Sequence, residues 1–301
     1  MTQVLVLFGP TASGKTALLG QLSNIEIISA DSMQVYRGLD IGTAKPSLEE
    51  RSRIPHHLID IRNPNEQFNA GDFVRLAEAA CLEAAGRGAQ PVVSGGTGFY
   101  LKSLVLGLSE APPSDQEIRS ALKKELTERG AVALRNELAK TDPVSAARIH
   151  ISDEYRLLRA LEVWRICGRP LSSFKAVPAV KANGANLRFR LVGLRRPREE
   201  LYRRINARTA AMFRAGLPGE VRRLFEAGYT PSDPGLRAIG YREFFVQDDG
   251  ANGDNAGWRL SEDLAAVEAL VAQNSRRYAK RQITFFSSLP SVEWIDLANE
   301  E

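Results

Sequence analysis

The sequence predicts an α/β protein, a P-loop NTPase-like parallel sheet with flanking helices and a helical insertion domain. Three observations carry this. In the N-terminal third, short apolar runs alternate with amphipathic segments, the pattern of strand–helix–strand units in a doubly wound parallel sheet. Between the first apolar run and the first helical segment lies Gly9-Pro10-Thr11-Ala12-Ser13-Gly14-Lys15-Thr16, which fits G-x-x-x-x-G-K-[ST] without mismatch and in the setting where that motif cradles phosphates. A charged, helix-patterned stretch then interrupts the alternation, between Pro112-Pro113 and an Ala/Asn/Gly-rich segment.

The elements follow in order. Residues 4–8 read as a buried strand, 9–16 as a loop and 15–23 as a helix. Residues 25–30 form a second strand and 57–61 a short third. Residues 71–87 are helical, with Phe73, Leu76, Ala80 and Ala84 on one stripe. Residues 90–94 make a fourth strand, stopped by Gly95-Gly96. Residues 114–139 and 153–167 are helices, the second with the stripe Leu157, Leu158, Leu161 and Trp164. Residues 176–186 read as a linker and 189–194 as a strand returning to the sheet. The core is thus residues 1–112 and 188–301, and the insertion 113–187. Helices at 197–215, 218–227 and 261–286, a Gly/Asn/Asp loop at 248–257 and an edge strand at 292–295 complete the chain.

Composition excludes several classes. The 301 residues are 44% hydrophobic and 25% charged, as in ordinary globular proteins. No stretch is long enough to span a bilayer, and the N-terminus has no signal-peptide pattern. Cys81 and Cys167 lie far apart without metal-ligand spacing, as expected of free thiols in a reducing cytoplasm. The net charge of +4 is unevenly spread: residues 155–214 hold 15 basic and 3 acidic side chains. Such a block suits a polyanionic partner, with a solvated basic face as the plainer reading.

In the glycine-rich loop, backbone N–H groups and the helix N-terminus hold negative charge. Lys15 adds a cation, and the Thr16 hydroxyl can hold Mg2+. The motif specifies a diphosphate or triphosphate but not ATP. Three functions remain open: a nucleotide or small-molecule kinase, a transferase whose leaving group is pyrophosphate, and a P-loop protein that binds RNA without chemistry. Asp31 follows the second strand and should face the same crevice. By position alone it is a proton acceptor or, equally, a cap or Mg2+-shell group. Thr97, within Ser94-Gly-Gly-Thr-Gly-Phe-Tyr100, offers a hydroxyl at a helix start. His56 and His57 open a strand and read as structural. Asp60 is an outer-sphere Mg2+ group or a turn residue. Trp164 and Trp258 are candidates to stack on bases, though Trp164, on an apolar stripe, reads as core; Arg276-Arg277-Tyr278-Ala-Lys280-Arg281 reads as an RNA-contacting segment.

Several blocks together resemble the tRNA dimethylallyltransferase family: the P-loop, Asp31-Ser-Met-Gln-Val-Tyr-Arg-Gly-Leu-Asp-Ile-Gly-Thr-Ala-Lys-Pro46, Pro55-His-His-Leu-Ile-Asp60, Gly95-Gly-Thr-Gly-Phe-Tyr100, Ile239-Gly-Tyr-Arg-Glu243 and Tyr278-Ala-Lys-Arg-Gln282. The resemblance implies transfer of a dimethylallyl group from dimethylallyl diphosphate to N6 of the adenosine just 3′ of the anticodon, assisted by Mg2+. It implies diphosphate binding by Gly9, Pro10, Thr11, Ala12, Ser13, Gly14, Lys15 and Thr16, with Thr16 on the metal. It assigns Asp31 as general base, with Thr97, Lys15 and Arg208 in the catalytic site. It implies tRNA contacts at Asp31, Ser32, Met33, Gln34, Thr97, Arg119, Tyr155, Arg156, Leu157, Leu158, Arg159, Arg237, Gly240, Tyr241, Arg242, Lys280, Arg281 and Gln282. The partner is then a tRNA anticodon stem-loop, and the protein a cytoplasmic monomer whose insertion binds tRNA. Asn206 stands where the family often has an acidic residue, and Phe285-Phe286 departs from the usual Thr-Trp-Phe type of ending.

Overall fold

The computed structural model describes residues 1–174, 176–177, 187–248 and 257–297. In chain order the elements are β1 Thr2–Phe8, α1 Lys15–Leu19, β2 Ile25–Ser29, α2 Leu48–Arg53, β3 His56–His57, α3 Ala70–Gly86, β4 Gln90–Gly95, α4 Gly98–Leu106, β5 Leu108–Ser109, α5 Gln116–Thr141, α6 Pro143–Arg148 and α7 Glu154–Cys167. They continue as β6 Ala176–Val177, β7 Leu187–Arg195, α8 Arg198–Arg214, α9 Leu217–Glu226, β8 Phe245–Gln247, β9 Trp258–Leu260, α10 Leu264–Phe286 and β10 Val292–Asp296.

The chain divides into two compact units, residues 1–105 with 183–301, and residues 106–182. The first unit holds a six-stranded sheet in the order β10-β7-β1-β4-β2-β3, parallel at every pairing. β1 lies centrally, and Val4, Val6, Leu7 and Phe8 are almost fully buried. This is why its sequence runs apolar rather than alternating: a parallel strand covered on both faces has no solvent side. Among the described residues β10 pairs with β7 alone, and its side chains are half-buried or exposed throughout, as in an edge strand. α3 starts with a capping box at Asn69 and Asp72 and buries Phe73, Ala77, Ala80 and Ala84 against the sheet.

Several expectations are corrected. α1 ends at Leu19 rather than residue 23 because Gln21 and Leu22 donate to carbonyls three residues back, which tightens the chain into turns. The third strand keeps only His56–His57, since Leu58 and Asp60 take positive φ angles of 62° and 57°. The residues beyond pair in another way: Ile61 and Arg62 N–H donate to Val35 O. A second small ribbon, β8 with β9, was not expected from sequence.

The unit at 106–182 is a helical cluster built on Leu122, Leu134, Leu138, Leu157, Leu158 and Leu161. α5 is broken at Gly130 (φ 78°), so the long charged helix read from sequence is two helices across a kink. The expected linker at 176–186 lies outside the described residues except for Ala176–Val177, which pair antiparallel with β5. The loop at 248–257 is likewise outside them, apart from Asp248 and Gly257, whose N–H···O bond of 2.7 Å closes the β8–β9 ribbon.

Candidate active site

The site grows from the carboxyl ends of three neighbouring strands, β1, β4 and β2, where ligands of parallel α/β sheets bind. β1 delivers the P-loop, β2 delivers Asp31 and β4 delivers the Gly95–Thr97 turn. The strand ends are packed so tightly that a Cβ at Gly95 would sit 2.2 Å from Ala30 O, so only glycine fits there.

The P-loop is braced through its carbonyls. Lys15 Nζ donates to Gly9 O at 2.9 Å and Pro10 O at 3.1 Å. Arg204 Nε donates to Ala12 O at 3.0 Å and Arg196 Nε to Ser13 O at 2.9 Å. Gly14 turns the chain into α1 at φ 104°, a left-handed conformation that favours glycine. The first N–H groups of α1 then have no intrahelical partner and point out of the helix start. Ser13 Oγ is fully buried without a partner. Burial, reinforced by the Arg208 guanidinium and opposed by Asp31, lowers the Lys15 pKa to about 8. The loop is therefore short of a counter-anion.

Asp31 sits in a turn, its Oδ1 accepting from Met33 N at 2.9 Å and Gln34 N at 3.4 Å. Thr97 Oγ1 accepts from Ser32 N at 2.9 Å and donates to Ser32 Oγ at 3.2 Å, which fixes the turn to the end of β4. Gln34 spends its amide on the scaffold, accepting from Ser29 Oγ and donating to Thr43 O and Ala44 O. The following loop is held by two groups that the sequence did not single out. Glu220 on α9, 3% exposed, accepts from the N–H groups of Asp40, Ile41 and Gly42 and from Tyr241 Oη. Lys45 Nζ donates to Tyr36 O, Asp40 and Asp60 at 2.6–2.7 Å.

Two cavities open off this framework. The larger, about 1060 Å³, runs along the P-loop to Ile54 and His56. The smaller, about 270 Å³, has apolar walls from Met33, Met212, Ile239 and Val271 and a cationic side from Arg237, Arg242 and Arg281. They share Thr11, Asp31, Thr43, Arg208 and Tyr278. An anion seated on the P-loop and a group entering the second cavity would meet beside one carboxylate and one guanidinium.

Other predicted residues fall differently. Gln282 is 4% exposed and bridges two loops: Thr11 N donates to its Oε1 at 2.9 Å, and its Nε2 donates to Gly96 O at 2.8 Å. That buried bridge, rather than contact with RNA, is what its side chain does. Tyr241 is fully buried with its hydroxyl on Glu220, and Leu157 and Leu158 are core residues of their unit, so these three side chains are not at the surface. Tyr278 is drawn into the cavities rather than displayed with the exposed Lys280 and Arg281. Asp60 is occupied by Lys45 and Arg51. His56 Nδ1 pairs with Ile54 O and His57 Nε2 with Glu26, so each of the three has a partner within the fold. Gly240, at φ 98°, sets the turn before Glu243, which accepts from its N–H. Trp258 packs edge-on against Phe245, and Trp164 is half-buried.

In the 106–182 unit, Glu162 is fully buried and receives Arg119 Nη1 at 3.2 Å and Arg159 Nη1 at 2.9 Å. The Arg119 guanidinium lies 4.6 Å from the Tyr155 ring centroid, and Tyr155 is 73% exposed. Arg156 is exposed and paired with Asp153. This is a pre-set guanidinium–aromatic surface.

A sequence model of IPP transferase matches residues 34–289, most of the chain. The chain belongs to the IPP transferase family. Relatives of this IPP transferase include tRNA dimethylallyltransferase of Geobacter sulfurreducens, 41% identical over 298 residues, which covers 98% of this chain and 92% of the relative. tRNA dimethylallyltransferase 1 of Trichlorobacter lovleyi is 44% identical over 297 residues, covering 97% and 93%. Among solved structures, the full-length tRNA isopentenylpyrophosphate transferase from Bacillus halodurans matches at TM-score 0.66 and 35% identity, over 100% of this chain and 92% of that one. A eukaryotic dimethylallyltransferase acting on tRNA matches at TM-score 0.76 and 26% identity, over 98% and 74%. The P-loop and Asp31 precede the span of the IPP transferase sequence model, and these near-full-length relatives extend the match over them.

Proposed function

We propose that this IPP transferase moves the dimethylallyl group of dimethylallyl diphosphate to N6 of the adenosine 3′-adjacent to the anticodon of tRNA, releasing diphosphate. The observation that carries the reading is the meeting of two cavities at Asp31 and Arg208, one lined by an anion-seeking P-loop and the other by arginines.

The chemistry suits these groups. The allylic C1–O bond breaks and its electron pair leaves with the diphosphate. Lys15, Arg208 and the N–H groups at the start of α1 stabilise that charge. The N6 amine forms the new C–N bond and loses a proton, for which Asp31 is the acceptor. Among the described residues there is no cluster of three or more His, Cys, Asp or Glu to hold a metal. Mg2+ usually binds through one or two protein oxygens plus substrate phosphates, and the exposed Thr16 hydroxyl fits that role. Bound there, Mg2+ would neutralise diphosphate charge.

The acceptor base has to leave its stack to reach Asp31, which costs a few kcal/mol. Arg237, Arg242, Lys280 and Arg281, with Arg119, Tyr155, Arg156 and Arg159 of the 106–182 unit, offer phosphate contacts that offset the cost. Among the described residues, no helix is long and apolar enough to cross a membrane. With tRNA as its substrate, the protein would act in the cytoplasm, as a monomer. The relatives named tRNA dimethylallyltransferase over nearly the whole chain favour this reading over a kinase.

The test is a mass measurement of nucleosides from tRNA incubated with the protein, Mg2+ and dimethylallyl diphosphate. One dimethylallyl addition to adenosine is expected, with no ATP turnover. Stoichiometric ADP release from labelled ATP, coupled to tRNA or to a small molecule, would establish the kinase instead.

A further inference from the structure

We propose that the ring of Tyr278 is a catalytic group of the prenyl transfer, its π face stabilising the positive charge that spreads over the allylic carbons as the C1–O bond breaks. This rests on the function proposed above. Of the five residues shared by the two cavities, Tyr278 is the one with an aromatic ring, and among the described residues it is the only Phe, Tyr or Trp on the wall of either. The diphosphate belongs in one cavity and the acceptor amine in the other, so the carbon that changes partners crosses the junction where Tyr278 stands.

Charge at that carbon is short-lived and carries no hydrogen-bonding group. The loop carboxylate cannot serve both as its counter-ion and as acceptor of the N6 proton without competition between the roles. An aromatic face attracts a cation without offering a nucleophile that would trap it. The ring is also held firmly. Tyr278 Oη donates to Gly96 O at 3.3 Å and is hydrogen-bonded to Thr97. Burial, with Asp31 adding to it, pushes the phenol up to about 12, so it stays neutral at working pH and gives no oxyanion to attack the prenyl carbon. The Arg281 guanidinium carbon lies 5.8 Å from the ring centroid, near the outer limit of a cation–π contact.

During the step the C1–O pair departs with the diphosphate, the N6 lone pair makes the C–N bond, and the N6 proton passes to Asp31. The ring forms no bond and changes no oxidation state. Its effect is therefore on the rate of bond breaking and not on the binding of either substrate.

The experiment is single-turnover transfer from dimethylallyl diphosphate to tRNA at saturating substrates. Tyr278→Phe keeps the ring and should stay within about threefold of the unsubstituted rate, whereas Tyr278→Leu should lose about tenfold or more, with donor and tRNA dissociation constants little changed. A series of phenylalanines at position 278 with increasing ring fluorination holds the shape while draining the π face. The logarithm of the rate should fall steadily along it. A flat series, or a Tyr278→Phe loss as large as that of Tyr278→Leu, overturns the proposal and leaves the residue a spacer or a hydroxyl donor. If the unsubstituted protein forms no prenylated adenosine, the proposed function itself has failed, and the two failures are thereby told apart.

Discussion

The two loops that meet at the junction are held in opposite ways. The P-loop is gripped by its carbonyls: Lys15, Arg196 and Arg204 occupy the oxygens of Gly9, Pro10, Ala12 and Ser13. The loop after Asp31 is gripped by its N–H groups, with Glu220 taking those of Asp40, Ile41 and Gly42. Its carbonyls are also engaged, Tyr36 O by Lys45 and Thr43 O and Ala44 O by Gln34. Cationic braces on carbonyls, with Thr11 N held by Gln282 and Ser13 N by Pro10 O, leave the N–H groups at the start of α1 to the crevice, which suits an anion. A carboxylate brace on N–H groups leaves a closed backbone that can offer a partner only side chains. One loop is an open receptor for charge, and the other a rigid frame that aims Asp31 and Met33.

If that division is right, damage to one loop should not spread to the other. The largest effect is expected at Asp31. Asp31→Ala should lower kcat by roughly 10²–10⁴ while the donor dissociation constant barely moves, as read by single-turnover kinetics. A comparable loss of donor binding would show that the two loops are one device.

Next is Glu220→Ala, which strips a buried acceptor from three backbone donors and a tyrosine hydroxyl. At about 1–3 kcal/mol for a buried group left unsatisfied, a loss of about 3 kcal/mol in unfolding free energy is expected, measured by denaturant titration. Diphosphate binding to the folded fraction should persist, since no P-loop contact is touched.

A smaller effect is a pH dependence confined to the P-loop. Free Lys15 has a pKa lowered to about 8, and a bound diphosphate favours its charged form. Binding therefore takes up a proton, and affinity is level below the free pKa and weakens above it. Titration calorimetry should find donor affinity falling by up to about tenfold per pH unit above about pH 8, with proton uptake seen as a buffer-dependent heat. Rising affinity over that range would remove Lys15 from the anion site.

The smallest is Gln282→Ala, which frees Thr11 N and Gly96 O. A loss of about 1 kcal/mol, or a fewfold in donor affinity, is expected. An effect on tRNA binding alone would instead return Gln282 to the RNA surface.

What the sequence made legible follows from locality. The apolar runs of β1, β2 and β4, the P-loop and the position of Asp31 beyond β2 all depend on neighbours in the chain, and all were readable. So was the edge position of β10. What was hidden depends on partners far away. Glu220 looks like any polar residue of an amphipathic helix until the chain at 40–42, about 180 residues earlier, is laid on its carboxylate. Gln282 lies in a basic segment and so reads as part of it, yet its side chain turns inward. Within the stretches expected to touch tRNA, Leu157, Leu158 and Tyr241 are core; a family block marks a segment without separating the residues that face a partner from those that support them. The positive φ of Leu58 and Asp60 cut short a strand that apolar patterning alone had lengthened.

The bond from Thr11 to Gln282 spans 271 residues, and the Arg196 and Arg204 braces reach back more than 180. Seen from the ribosome, the first functional loop to emerge is the last to be finished. At about 5–20 residues per second, the P-loop waits tens of seconds or less for the guanidinium and amide groups that set its shape, and β1 waits for β7 to cover its second edge. Contacts of such sequence separation make for slow closure. A nascent chain halted before α10 would thus carry the phosphate motif with its Lys15, Arg196 and Arg204 braces but with Thr11 N still without Gln282, and the full affinity for the diphosphate would arrive with the final helix.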